Sequence, residues 1–137
     1  MGEDEHSAWQ GAICDWFGRH RIDWGIRVRP ELRVRVAATR FRVPDVTILD
    51  RNRVPEKIAT YPPIAVFEVL SPEDRLQRML RKLDDYDAMG IPEIWVVDPE
   101  TQIFSRYSSG ELRRRSRFEL SSRGMEFDLS EIEALLD

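Results

Sequence analysis

A chain of 137 residues is long enough to bury one domain's core without metal or disulfide staples. Its single cysteine, Cys14, excludes an intrachain disulfide and a Cys-rich zinc site, and no apolar run reaches the length of a membrane span. With 42% hydrophobic and 34% charged residues and no leader-like start, the expectation is one soluble, cytoplasmic domain over residues 1–137.

The net charge of −4 is unevenly spread: from Arg19 to Arg53 ten arginines stand against four acids, and Arg113-Arg114-Arg115-Ser116-Arg117 makes a second basic run. Clustered arginine over an acidic total suits either a face that meets phosphates or a solvated strand surface.

In chain order, Trp9, Ala12, Ile13, Trp16 and Phe17 recur at helical spacing, which predicts an amphipathic helix of about three turns with Ser7 as N-cap. Cys14 lies on its apolar side and reads as a packed thiol. His6 and His20 sit among charged residues with no partner at ligand spacing, so both are expected at the surface. From Ile26 the period falls to two. Val28, Leu32, Val34 and Val36 alternate with Arg27, Arg29, Arg33 and Arg35, as in half-buried antiparallel strands, with a break at Pro30-Glu31. Val43 to Leu49 reads as the next strand, followed by a polar loop from Asp50 to Pro63.

Ile64-Ala65-Val66-Phe67-Glu68-Val69-Leu70 then reads as a buried strand, yet it carries a carboxylate. Ser71-Pro72-Glu73-Asp74 predicts a helix start with Ser71 as N-cap; Leu76, Met79, Leu80, Leu83 and Tyr86 form its buried stripe, and Gly90 before Ile91-Pro92 ends it. Ile94 to Pro99 is a further buried strand, with Trp95 in the core and Asp98 capping the strand end. Residues 64 to 98 thus make a strand, helix, strand unit of the parallel, right-handed kind. Ile103–Tyr107 and Leu112–Leu120 are expected to close as a hairpin around Ser109-Gly110, with a short helix from Leu129 to Leu136.

Asp45, Glu68 and Lys82 are the residues whose pattern suggests chemistry. Carboxylates on neighbouring strands can hold a hard divalent cation, which would offset the cost of burying Glu68. The bland alternatives are a local backbone bond for Asp45, an arginine partner for Glu68 and a solvent-reaching stem for Lys82. Of 21 basic residues only Lys57 and Lys82 are lysine, and an ammonium whose pKa moves readily suits a group that orients or deprotonates water. Tyr86, one turn on, reads as core with its hydroxyl at the rim and is an accessory candidate.

The ordered blocks Val43-Pro44-Asp45-Val46-Thr47-Ile48, Phe67-Glu68-Val69-Leu70-Ser71-Pro72, Lys82 with Tyr86, Gly90-Ile91-Pro92-Glu93-Ile94-Trp95 and Val96-Val97-Asp98-Pro99 resemble the Uma-type restriction endonuclease family of the PD-(D/E)XK nuclease superfamily. The resemblance implies an α/β core around a mixed sheet, with Asp45, Glu68 and the carbonyl of Val69 as ligands of Mg²⁺, for which Mn²⁺ can substitute. It also implies that the superfamily lysine, which would stand at Leu70, has moved to Lys82 on the adjacent helix. The implied reaction is hydrolysis of DNA phosphodiesters, for which a homodimer is one arrangement. The family pattern carries a longer N-terminal segment with an acidic turn, where this chain has Gly2-Glu3-Asp4-Glu5-His6, and an Asp where it has Arg78. A DNA-binding or protein-interaction module that has lost catalysis is the alternative function class.

Overall fold

A computed structural model of the chain describes residues 2–137. Every residue of the strand Ala65–Val69 is buried, which requires cover on both faces of its sheet. The elements run α1 (Gly2–Arg19), β1 (Ile26–Pro30), β2 (Val34–Ala37), β3 (Arg40–Arg42), β4 (Val46–Asp50), β5 (Ala65–Val69), α2 (Leu76–Met89), β6 (Glu93–Asp98), β7 (Ile103–Ser108), β8 (Glu111–Arg114), β9 (Arg117–Leu120), β10 (Met125–Asp128) and α3 (Ser130–Glu133). Six strands form one mixed sheet in the order β1-β4-β5-β6-β7-β8. Within it β5 and β6 are parallel, as the strand, helix, strand pattern predicts, and the other neighbours are antiparallel.

The two-residue period of β5 divides its side chains between two cores. Ala65, Phe67 and Val69 join Trp9, Ile13 and Phe17 of α1, with Phe118 and Phe127 from the separate β9–β10 hairpin. Phe17 is central to this layer, its ring 5.3 Å from Phe67, 5.7 Å from Phe118 and 5.5 Å from Phe127. Val66 points the other way, into a core with Met79, Leu83 and Tyr86 of α2 and with Ile94 and Val96 of β6. Glu68, two residues on, shares that second face. Trp95 is buried as expected, and its indole N–H donates to Glu93 at 3.0 Å.

Several boundaries differ from the sequence reading. Helix α1 begins at Gly2, so Ser7 lies inside it and is not its N-cap; Glu3, Asp4 and Glu5 in the first turn complement the positive helix end instead. Helix α2 begins at Leu76, after Ser71 and Asp74 have closed a turn of their own. The Ser71 N–H donates to the Asp74 carboxylate at 2.8 Å and the Asp74 N–H to the Ser71 carbonyl at 3.0 Å, so Ser71 caps no helix. Leu76, expected in the buried stripe, is 68% exposed at that new start. Gly90 ends α2 as predicted, in the left-handed region at φ 95°.

Ser109 and Gly110 both take positive φ, the geometry of a two-residue hairpin turn between β7 and β8. The second arm of that hairpin stops at Arg114, however. β9 leaves the sheet and pairs with β10, a strand the sequence reading did not assign, because Phe118 must reach the α1 core. The final helix is confined to Ser130–Glu133. Asp98 does cap its strand, accepting the Glu100 N–H at 3.0 Å. Among the described residues no helix is long and apolar enough to cross a membrane.

Removing the ring at the centre of the larger core should be costly. Phe17→Ala is expected to lower stability by about 3–5 kcal/mol, read by urea unfolding. A loss of less than about 1 kcal/mol would contradict the packing described.

Candidate active site

Asp45 stands one residue before β4 and Glu68 one residue before the end of β5. The antiparallel register pairs Val46 with Phe67, which brings the two acids to the same level at one end of neighbouring strands. That end is the carboxyl end of the parallel pair β5–β6, where open α/β sheets present their crevices. A cavity of about 520 Å³ opens there, lined by Glu5, Leu70, Ser71, Pro72, Asp98, Pro99 and Glu100.

Asp45 is fixed from several sides. Its Oδ2 accepts the Val69 N–H at 2.7 Å and lies 3.2 Å from His6 Nε2. Its backbone carbonyl accepts the Gln10 side-chain amide at 2.9 Å and the Glu31 N–H at 3.2 Å. His6 is therefore not the partnerless surface residue the sequence reading expected. The signal that could have found it is helical phase: with α1 extended to Gly2, His6, Gln10, Ile13 and Phe17 fall on one stripe. His20 also departs from expectation, being half-buried and stacked on Trp24 at 4.2 Å.

Glu68 is 2% exposed, and its partners come from one face of α2. The Tyr86 hydroxyl donates to Oε2 at 2.6 Å, while Lys82 Nζ reaches Oε1 only at 3.4 Å; the i, i+4 spacing of the two residues sets both above the carboxylate. Tyr86 is thus buried core, with its hydroxyl turned to the site instead of to a solvent rim. Burial pushes the Glu68 carboxyl up to about 8; the Asp45 charge adds to the rise, and Lys82 and the Tyr86 hydroxyl oppose it. Burial, and then the charge of Glu68, push the Tyr86 phenol well above its usual range, which keeps it a neutral donor. Arg78 is exposed and forms no hydrogen bond or ion pair among the described residues.

A second buried acid, Glu93, had no prominence in the sequence and has a closer cation partner than Glu68, although burial still pushes its carboxyl above the usual range. Arg106 reaches it at 3.0 Å and the Trp95 indole at 3.0 Å. It pairs with Ala65 across the β5–β6 ladder, three residues from the Glu68 level, so it belongs to the opposite end of the sheet. Cys14 is half-buried against the α1 core, and burial pushes its thiol up to about 11, which leaves it an inert packing group.

Among the described residues no three His, Cys, Asp or Glu side chains converge as a ready-made metal cage. The donor set nonetheless fits a cation that needs few protein ligands. Asp45 Oδ1 meets no donor among the described residues, and the two acids are near enough for the charge of Asp45 to raise Glu68. A hard divalent ion commonly takes one or two carboxylates and keeps waters for the rest of its shell.

A family model described as "Uma2: Putative restriction endonuclease" matches residues 1–132. The chain belongs to the Uma2 family. Its fold is similar to that of "a putative nuclease belonging to DUF820" from Anabaena variabilis, with TM-score 0.81 and 19% identity over 97% of this chain and 82% of that one. The DrdV–DNA complex, solved by cryo-electron microscopy, aligns with 94% of this chain and 10% of its own at 20% identity and TM-score 0.49. No curated protein matches the chain. The Uma-type resemblance and the α/β mixed-sheet expectation are both borne out.

The raised carboxyl of Glu68 makes the stability of the fold depend on pH. A group that titrates higher folded than unfolded favours the fold while protonated, so its contribution is complete below about pH 4.5 and is lost as pH rises through about 8. In EDTA, urea denaturation across that window should show stability falling with pH, and Glu68→Gln should flatten the fall. An identical slope in the variant would contradict the assignment.

Proposed function

We propose that this chain is a divalent-metal-dependent endonuclease that hydrolyses DNA phosphodiesters, with Mg²⁺ as its working cation and Mn²⁺ as a substitute. The observation that carries the reading is the pairing of a buried, imperfectly compensated Glu68 with Asp45 at one strand end, beneath Lys82. Membership of the family whose model is described as "Putative restriction endonuclease" supports the reaction class.

In this reading Asp45, Glu68 and the carbonyl of Val69 hold the cation. When bound, a divalent ion supplies positive charge against the phosphate and polarises water. His6 and Gln10 keep the Asp45 carboxylate and backbone from turning, and the Val69 N–H fixes Oδ2 so that Oδ1 stays available. Tyr86 holds Glu68 by its neutral hydroxyl. Lys82 is tied to Glu68 only by a long contact, so its amine is free to orient the attacking water or help deprotonate it. Cleavage of both strands in one encounter suits two such sites, for which a homodimer on the DNA is one arrangement.

One observation favours a second reading, a DNA-binding or interaction module without catalysis: both oxygens of Glu68 already have protein donors. A plasmid-nicking assay in Mg²⁺ and in Mn²⁺ with an EDTA control separates the two. Nuclease action predicts metal-dependent nicking that falls by at least about 100-fold in Glu68→Gln and in Lys82→Ala, with folding confirmed by circular dichroism. Undiminished nicking by Glu68→Gln, or none by the folded wild-type chain, would overturn it.

A further inference from the structure

The β2–β3 hairpin and the residue just before it carry four arginines within ten residues, Arg33, Arg35, Arg40 and Arg42, and the hairpin leads by Val43 and Pro44 directly to Asp45. It is held in place by its apolar side, where Val34 and Val36 pack into the cores beneath. On its other contacts it is strongly basic.

Asp85 of α2 receives two of the arginines at once. Arg40 reaches Oδ1 at 2.9 Å and Arg42 Nε reaches Oδ2 at 2.8 Å. Asp85 lies three residues after Lys82 and beside Tyr86, so the helix face that holds Glu68 also anchors these guanidiniums. Arg42 is near enough to Tyr86 for its charge to act on the phenol. Because Arg42 spends only its Nε on Asp85, its two terminal nitrogens remain as donors, in the fork that suits a phosphate.

The opposite side of the hairpin is uncompensated. Arg33 lies over the exposed ring of Phe41 at 5.9 Å, and Arg35 bonds the Ala38 carbonyl at 3.2 Å; neither meets a carboxylate among the described residues. Among the described residues Asp85 is thus the one acid that pairs with any of the four arginines, and it meets only Arg40 and Arg42, beside a site that, on the nuclease reading, must receive a polyanion. The other basic run differs. It begins on β8 at the far edge of the sheet, three strands from β5 or about 14 Å at the usual strand spacing, and its Arg113 is paired with Glu111.

We infer that the β2–β3 hairpin is the surface that grips the DNA phosphate backbone next to the Asp45–Glu68 site, with Arg40 and Arg42 aimed by Asp85 and Arg33 and Arg35 extending the contact outward. The inference rests on the nuclease reading for its substrate. Its contacts are sequence-independent: they set affinity and register and select no bases.

Binding of a labelled DNA duplex, read by fluorescence anisotropy in EDTA over a salt series, tests it. Each phosphate contact contributes about 0.9 to the slope of log K against log salt. Arg40→Gln with Arg42→Gln, and separately Arg33→Gln with Arg35→Gln, should each weaken binding and reduce the slope by roughly 1–2, while Arg113→Gln with Arg114→Gln should leave it unchanged. The Arg33 and Arg35 pair makes no ion pair among the described residues, so it keeps the test readable if loss of the Asp85 contacts unfolds the other variant. Wild-type slopes in both hairpin variants, a loss confined to the β8 variant, or no salt-dependent binding at all would overturn the inference. EDTA removes the cation from the comparison. Retained nicking by Glu68→Gln would therefore sink the nuclease reading without touching the slopes, and unchanged slopes would sink the hairpin without touching the nicking.

Discussion

The arrangement depends on one costly act, the burial of the Glu68 carboxylate inside a fully covered strand. A buried acid with a close cation partner is a structural element, as Glu93 with Arg106 at 3.0 Å illustrates at the other end of the ladder. Glu68 instead has a neutral hydroxyl at 2.6 Å, an ammonium at 3.4 Å and a second carboxylate nearby. Proteins tolerate such an imbalance where something else supplies the missing charge, and these places tend to be functional sites.

Two helices on opposite faces of the sheet meet at that imbalance. Helix α1 packs the larger core with Trp9, Ile13 and Phe17, and the same stripe, continued toward its start, delivers Gln10 and His6 to Asp45. Helix α2 packs the smaller core with Met79, Leu83 and Tyr86, and its adjoining face delivers Lys82 to Glu68 and Asp85 to the hairpin arginines. The apolar packing that fixes each helix therefore also fixes the polar atoms at the strand ends. Loosening either core would be felt as misplacement of the carboxylates before the fold was lost.

Much of this was legible in the sequence because periodicity reports burial. The continuous apolar run around Glu68 identifies a central strand, the stripe ending at Gly90 identifies α2, and the ordered blocks point to the family. Boundaries were less legible. Ser71 looks like an N-cap from local chemistry, but its partner Asp74 closes a separate turn, and no window of sequence distinguishes the two outcomes. His6 was not legible because a charged N-terminal segment gives no apolar signal that α1 extends back to Gly2, which hides its phase relative to Ile13 and Phe17. The β9–β10 hairpin was missed because its reason lies in a tertiary contact, Phe118 against Phe17. The pairing of Arg40 and Arg42 with Asp85 joins residues more than forty positions apart, beyond the reach of any local pattern.

On the proposed nuclease reading, a bound cation would take the place of the proton that burial favours on Glu68. Calorimetric titration with Mn²⁺ near pH 7, repeated in buffers of different ionisation enthalpy, measures that exchange directly. Saturable binding with release of up to about one proton per ion is expected, with loss of both binding and release in Glu68→Gln. Absence of saturable binding, or binding with no proton release that Glu68→Gln leaves intact, would contradict it.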